Sequence, residues 1–301
     1  MFSMADVIFI VQNVYIIIFL SLYLMEVYII LQRNRSQFRS PFYKLFIIGA
    51  FLDINVELLS TMILRIPMSP LANGVFADYQ PNRAITFVYG LAFYLPAVQE
   101  YLNIFIALNW MSAFVFPAYH DKIWSYLTPA SILLTIYLPL LSVWYLFFCP
   151  VISIPIIDDN NTYYILTADV ANHFPEVSPP LRTSILITGG AILCFVLYIS
   201  TTMWLKCTPN LIKNSIGKRL FYFGATLFIL YFPCVTFQVT IFLLGPTIEN
   251  TLFSHKCMSF IVDIKCLLPP VLLIVYSKNV RCKCYEFVGI KQRLKAERSV
   301  S

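Results

Sequence analysis

Residues 7–31 read VIFIVQNVYIIIFLSLYLMEVYIIL and contain only one charged side chain, Glu26. As an α-helix these 25 residues would extend about 37 Å at 1.5 Å per residue, which exceeds the roughly 30 Å hydrocarbon core of a bilayer. The run is too long for the apolar region of a signal peptide, and no basic flank precedes it. We therefore expect a retained membrane-spanning helix.

Six further apolar runs of similar length follow along the 301 residues. The chain is 59% hydrophobic and 12% charged, whereas soluble domains carry about 25% charged residues. The sequence therefore predicts an all-α membrane protein, a single domain over 1–301 built as a bundle of seven transmembrane helices, with a basic tail at 278–301. The predicted spans are 7–31, 42–66, 84–112, 126–149, 183–205, 220–244 and 257–277.

The basic residues are distributed unequally between the two sides of the predicted bundle. The side that holds the C-terminus carries 16 of the 21 Lys and Arg residues and three acids, whereas the other side carries three basic residues and seven acids. Because basic loops stay in the cytoplasm, this asymmetry predicts an outer N-terminus and a cytoplasmic C-terminus. The net charge of +6 thus indicates topology and attraction to anionic membrane lipid, and no nucleic-acid partner is expected.

Seven ionisable residues lie inside the predicted spans, where charged side chains are costly and usually pair within the bundle. They are Glu26, Asp53, Glu57, Arg65, Glu100, Asp263 and Lys265. Asp53 and Glu57 are four residues apart and share one helix face, so one of them should be protonated or meet a cation. We expect Asp53, Glu57 and Arg65 to form a polar network that joins helices; an ion or ligand site is the alternative.

Three of the intramembrane residues are the predicted ligand-binding groups. Glu100 lies roughly mid-membrane, ten residues before Trp110, and Asp263 and Lys265 lie on the seventh span. Asp263 and Lys265 are about 200° apart on a helix, so they cannot both face one pocket centre. A retinal Schiff base on Lys265 with Glu100 as counter-ion is one alternative, and a lysine paired with a carboxylate is the simpler interpretation.

Catalytic signatures are not found in this sequence. The three histidines, His120, His173 and His255, are far apart and form no metal-binding motif of a membrane desaturase or zinc protease. The sequence has no Walker A loop, and no histidine lies deep in a span where it could activate a nucleophile. We predict a non-enzyme without a metal or cofactor.

Several residues are candidates for covalent modification. Cys149 and Cys257 lie near the predicted outer face and could form a disulfide. Asn160 begins a glycosylation motif in the long outer loop 150–182. Cys282 and Cys284 follow the last span within a basic segment, a common setting for palmitoylation, although two ordinary thiols are equally compatible.

The stretch NWMSAFVFPAY over 109–119, at the cytoplasmic end of the third span, resembles the Asp-Arg-Tyr signature of rhodopsin-like receptors and the proline that follows it. The blocks SPFYKLFII (40–48), LNWMSAFVFP (108–117) with HDKIW (120–124), and YSKNVR (276–281) are similar to those of nematode serpentine receptors of class gamma. Class V receptors share much of this pattern.

The resemblance implies a G-protein-coupled chemosensory receptor that binds an external small molecule, at the plasma membrane of a sensory cilium. A heterotrimeric G protein would face Asn109, Trp110, Pro117, Lys122 and Trp124. Family members usually carry arginine at the position of Trp110, and tryptophan cannot donate a charged hydrogen bond, so weak coupling is expected. A small ion or solute transporter that uses Asp53, Glu57 and Glu100 is the main alternative, and a structural bundle without a ligand is a third.

Overall fold

The computed structural model of the protein describes residues 4–32, 41–69, 72–158, 161–207, 215–244, 248–287 and 289. Seven of its helices are long and apolar enough to cross a membrane, which confirms the predicted bundle. They are α1 (Met4–Gln32), α2 (Pro41–Ser60), α4 (Arg83–Val115), α5 (His120–Val143), α7 (Pro179–Cys207), α8 (Ser215–Leu244) and α9 (Ile248–Tyr276). Helices are the expected solution because every backbone group in lipid must be bonded internally.

Three shorter helices connect or extend the bundle: α3 (Asn73–Ala77), α6 (Val170–His173) and α10 (Lys278–Phe287). Two of the long helices continue in other helical forms, α2 as a π-helical turn over Thr61–Arg65 and α5 as a 3₁₀ turn over Trp144–Phe147. Helix α4 begins at a capped end, where the Asn82 side chain accepts a 2.9 Å hydrogen bond from the Ile85 N–H.

Helix α4 is the centre of the bundle and packs against α2, α5 and α7. Helix α8 lies between α7 and α9, and α1 packs on α9 and α10. Because the spans alternate in direction, the start of α4 and the end of α2 lie on the side of the N-terminus. The end of α4, the start of α2 and α10 lie on the side of the C-terminus. We call these the N-terminal side and the C-terminal side.

An antiparallel hairpin covers part of the N-terminal side, in the segment that the sequence suggested only as a long loop. Strand β1 (Val151–Asp158) pairs with β2 (Asn161–Ala168), from Val151 opposite Ala168 to Asp158 opposite Asn161. The hairpin is fixed to the bundle by a 3.2 Å hydrogen bond from the Tyr164 N–H to the Pro67 carbonyl. In addition, the Lys256 ammonium lies 5.3 Å from the centre of the Tyr163 ring.

The two cysteines proposed as a disulfide are free thiols in this structure. Cys149 is buried beneath the hairpin and Cys257 is half-buried. Burial raises the pKa of the Cys149 thiol, and the nearby Asp169 carboxylate raises it further. The Cys149 thiol therefore stays protonated and packs as a small apolar side chain.

Candidate functional site

Arg65 is the hub of a buried polar cluster on the N-terminal side. Its Nη1 donates to the Glu57 Oε1 over 2.6 Å and to the Thr61 Oγ1 over 2.5 Å. Its Nη2 donates to the Asp263 carboxylate, which also accepts a bond from the Tyr15 hydroxyl. We call Arg65, Glu57, Asp263 and Tyr15 the Arg65 cluster; it ties α1, α2 and α9 together.

The π-helical turn explains why Arg65 can reach Glu57. In a regular α-helix, residues eight apart lie about 80° apart around the axis. The turn over Thr61–Arg65 is closed by a 3.0 Å bond from the Ile66 N–H to the Thr61 carbonyl, five residues back. A π turn contains more residues than an α turn, so it brings Arg65 back above Glu57. Such turns are frequent at functional sites.

A second polar group lies at mid-membrane and centres on Asp53. Its two carboxylate oxygens accept hydrogen bonds from the Tyr23 hydroxyl at 2.6 Å and from the Gln99 Nε2 at 2.5 Å. Beside it, the Lys265 ammonium of α9 donates to the Glu100 carboxylate of α4. These three contacts link α1, α2, α4 and α9 halfway through the bundle.

A cavity of about 70 Å³ opens next to these groups. Asp53, Gln99, Asn103 and Lys265 form its polar wall, and the aromatic rings of Phe42, Phe46 and Phe223 line the part nearer the C-terminal side. Sites for drug-sized ligands usually measure about 300–1,000 Å³. In this conformation the cavity therefore suits water or a very small group, and a larger ligand would require the helices to move.

The C-terminal end of the bundle is filled by aromatic rings packed around Trp110. The Trp110 side chain is 5% exposed, and its ring centre lies 5.2 Å from that of Phe42 and 6.3 Å from that of Phe114. Phe42 in turn packs edge-on against Phe223 of α8 at 5.7 Å. We call Trp110, Phe42, Phe114 and Phe223 the Trp110 cluster.

The predicted site residues fall into different groups from those expected. Asp263 contacts Arg65, whereas Lys265 contacts Glu100. The two residues of α9 therefore do not share one pocket, in agreement with their separation of about 200° around the helix. Asp53 is bound by Tyr23 and Gln99 and lies outside the Arg65 cluster, so the predicted network divides in two. Glu100 and Lys265 form the predicted lysine–carboxylate pair.

Of the five residues predicted to face a G protein, only Pro117 and Lys122 are exposed. Asn109, Trp110 and Trp124 are buried. Trp124 is held in place by its indole N–H, which donates to the Ser112 Oγ over 2.7 Å. Because Trp110 has no charge to solvate, it packs among aromatic rings in a position where an arginine would seek polar partners.

The modification sites have different surroundings. Asn160 lies outside the described residues. Cys282 is half-buried, whereas Cys284 is buried against α1. Burial, and to a lesser extent the nearby Glu26, raises the pKa of the Cys284 thiol to about 11. Acyl transfer needs an accessible, nucleophilic thiol, so Cys282 is the better placed of the two.

The uncharged side chains that take part in the buried hydrogen bonds were not predicted from the sequence. Tyr15, Tyr23, Gln12 and Gln99 all lie in apolar spans. The two tyrosines bond buried carboxylates, and Gln12 bonds the Ser259 Oγ at 3.1 Å. The two glutamines were a usable signal, because an amide inside a membrane span must find a partner. The tyrosines were not, since 19 tyrosines occur along the chain.

The arrangement is a seven-helix bundle whose buried ion pairs join helices, and a small cavity with one polar and one aromatic wall lies beside the Glu100–Lys265 pair. Among the described residues, no group of three or more His, Cys, Asp or Glu side chains is placed to hold a metal ion. Buried ion pairs between helices, next to an internal cavity, suit a membrane receptor that switches between arrangements of its helices.

Comparison with known proteins agrees with this class. Residues 9–284 match the model of the Srg family of chemoreceptors. Serpentine receptor class gamma-10 of Caenorhabditis elegans is 24% identical over 290 residues, which are 90% of this chain and 82% of the relative. Serpentine receptor class V-1 of the same organism is 24% identical over 277 residues, 88% of this chain and 84% of the relative.

The chain belongs to the Srg family of chemoreceptors. The resemblance to class gamma receptors is thereby confirmed, and the protein is a chemosensory receptor similar to G-protein-coupled receptors. The transporter alternative is not favoured, because both the family and the relatives are receptors.

Proposed function

We propose that this receptor detects an external small molecule by disturbing the Glu100–Lys265 ion pair, and that it signals to a heterotrimeric G protein on the C-terminal side. The observation that carries the proposal is the position of this pair. It joins α4 and α9 at mid-membrane, and Lys265 also lines the cavity. A ligand that binds one arrangement of these helices more tightly than the other would shift the equilibrium between them.

Orientation and location are part of the same proposal. The excess of Lys and Arg on the C-terminal side supports an external N-terminus and a cytoplasmic C-terminus. The receptor would then expose its hairpin to the exterior of a plasma membrane, in line with a sensory cilium. Asn160 would be available for glycosylation outside, and Cys282 for palmitoylation inside.

The proposed G-protein surface combines exposed and hidden residues. Pro117 and Lys122 are accessible in this conformation, whereas Asn109, Trp110 and Trp124 lie behind them. Outward movement of α8 would separate Phe223 from the Trp110 cluster and uncover part of this set. Since Trp110 replaces the usual arginine, we propose that coupling is weak and relies on the exposed loop.

Charge exchange between Glu100 and Lys265 tests the role of the ion pair. Glu100→Lys places two ammonium groups together, and Lys265→Glu places two carboxylates together, so each single variant should raise basal signalling several-fold. The double variant restores opposite charges and should return basal signalling toward the wild-type value. The measurement is G-protein activation in heterologous cells, corrected for the amount of receptor at the surface.

A second measurement separates this proposal from transport. The same cells are exposed to a panel of odorants and pheromone-like lipids, and ionic current is recorded with G proteins active or blocked. Responses that require G proteins support the receptor mechanism. A ligand-dependent current that persists when G proteins are blocked would contradict it.

The charge-exchange experiment has its own contradicting outcome. If basal signalling were equal in Glu100→Lys, Lys265→Glu and the wild type, the ion pair would have no role in signalling.

A further inference from the structure

A groove of about 440 Å³ lies where α5 begins, on the C-terminal side of the bundle. Its walls are four apolar or aromatic side chains and one cation: Phe116, Tyr119, Lys122, Ile123 and Tyr126. All five residues are exposed. The groove is wide open and does not enclose a ligand, so it suits a molecule that lies along the protein surface.

The helical spacing explains why these residues form one surface. Tyr119, Lys122, Ile123 and Tyr126 are separated by three, four and seven positions, so their side chains lie along one face of the first turns of α5. Trp124 is on the opposite face, about 200° from Tyr126, and it bonds to Ser112 of α4. The groove therefore faces away from the bundle, toward the surrounding membrane.

The groove also crosses the boundary between polar and apolar membrane regions. Asp121, Lys122 and Ser125 form the polar start of α5, and the apolar run continues from Tyr126 onward. Tyrosines concentrate at this depth because their rings are apolar and their hydroxyls are polar. Tyr126 is 74% exposed, on the side where acyl chains would lie.

Lys122 gives the groove its charge preference. Within the described part of the chain, Lys122 takes part in no ion pair. An ammonium beside apolar walls complements an anionic head group attached to an acyl chain. Basic residues at the cytoplasmic membrane surface attract anionic phospholipids by this combination.

We propose that this groove binds an anionic glycerophospholipid, with its phosphate on Lys122 and an acyl chain against Tyr126 and Ile123. The direction of the groove favours a lipid over a soluble protein, because a protein docking from the aqueous side would meet Lys122 and Pro117 but not the membrane-facing ring of Tyr126. The proposal does not involve the Glu100–Lys265 ion pair. It rests on the proposed cytoplasmic position of this side and shares Lys122 with the proposed G-protein surface, so the test measures both lipid retention and G-protein binding.

The test compares lipid retention by two charge variants of the full-length receptor. The purified receptor is placed in nanodiscs of phosphatidylcholine with phosphatidylserine. The receptor is then released from the nanodisc in the mass spectrometer, and the lipids that stay bound to it are counted by native mass spectrometry. Lys122→Gln should weaken retention of one phosphatidylserine about fivefold, as expected for one lysine at an anionic surface. The control, Lys206→Gln, removes an exposed lysine in the last turn of α7 on the same side and should leave retention unchanged.

Two aromatic variants test the walls of the groove. Tyr126→Ala should lower phosphatidylserine retention, whereas Tyr137→Ala, on a 63% exposed tyrosine of the same helix outside the groove, should not. Equal losses in Lys122→Gln and Lys206→Gln would indicate a diffuse electrostatic effect and overturn the proposal. Loss of G-protein binding in Lys122→Gln with unchanged lipid retention would assign the groove to the G protein and also overturn it.

Discussion

The two ends of the helix bundle are closed by different kinds of interaction. On the N-terminal side, the Arg65 cluster joins α1, α2 and α9 through charged hydrogen bonds between buried groups. On the C-terminal side, the Trp110 cluster joins α2, α4 and α8 through aromatic packing. The Arg65 cluster depends on a few specific donor–acceptor pairs, whereas the Trp110 cluster depends on many weak contacts between rings.

The difference indicates which end can open. A buried ion cluster loses several kcal/mol when one member departs, since the remaining charges stay unpaired. Aromatic rings interact over a range of separations and angles, and apolar cores accept rearrangement more readily. The N-terminal side is therefore the rigid end of the receptor. We expect α8 to move at the C-terminal side, which is the side that would face the G protein in the proposed orientation.

The largest expected effect comes from breaking the Arg65 cluster. Arg65→Met leaves the buried Glu57 and Asp263 carboxyls without their cation and should destabilise the receptor by about 3–5 kcal/mol. The measurement is the fraction of detergent-solubilised receptor that stays monodisperse after heating. Adding Glu57→Gln and Asp263→Asn to Arg65→Met should recover most of the loss, because no unpaired charge remains.

The matched control is Arg83→Met, which removes an exposed arginine at the start of α4 on the same side. We expect it to change the free energy of unfolding by less than about 0.5 kcal/mol. If Arg65→Met were no more harmful than Arg83→Met, the Arg65 cluster would not be what fixes the N-terminal side.

A smaller effect should follow from adding one methyl group beside the Trp110 cluster. A Cβ atom at Gly224 of α8 would lie 2.6 Å from the Tyr198 hydroxyl and 3.3 Å from the Trp110 Nε1. Gly224→Ala should therefore push α8 outward and weaken the closed arrangement by about 1–3 kcal/mol. We expect higher basal G-protein activation per surface receptor.

Gly189→Ala in α7 provides the control, since among the described residues no atom beyond its chain neighbours and its own helix backbone lies within 4 Å of the added methyl group. That substitution removes backbone freedom from the unfolded chain and should be neutral or slightly stabilising. Similar basal signalling in the Gly224 and Gly189 variants would show that α8 does not respond to crowding at the Trp110 cluster.

Features that depend on local composition could be predicted from the sequence, whereas features that depend on packing between helices could not. The seven spans follow from local composition, because lipid forces each apolar run into a helix regardless of its neighbours. The separation of Asp263 from Lys265 also follows, since it depends only on the rotation within one helix. The partner of each buried charge depends instead on how the helices rotate and pack against each other.

Arg65 and the hairpin show where local rules are insufficient. The contact between Arg65 and Glu57 requires a π turn, which no residue in TMILR (61–65) indicates. The two paired strands had a usable signal in the sequence, where Asp-Asp-Asn-Asn (158–161) separates two apolar segments. The sequence marks Trp110 as a departure from the family pattern, but Phe42 and Phe223 lie on two other helices, and only the packing of these helices brings them to Trp110.

The smallest expected effect concerns a partly exposed ion pair on α10, which isolates the role of burial in the comparison. The Lys283 Nζ lies 3.0 Å from the Glu286 Oε2 on α10, and the two side chains are 26% and 27% exposed. The chemistry matches that of Arg65 with Glu57, but water solvates both groups when the pair is broken. Lys283→Gln should therefore cost at most about 0.5 kcal/mol in the same heating assay. A loss comparable to that of Arg65→Met would mean that the number of charges removed, and not their desolvation, sets the stability of the N-terminal side.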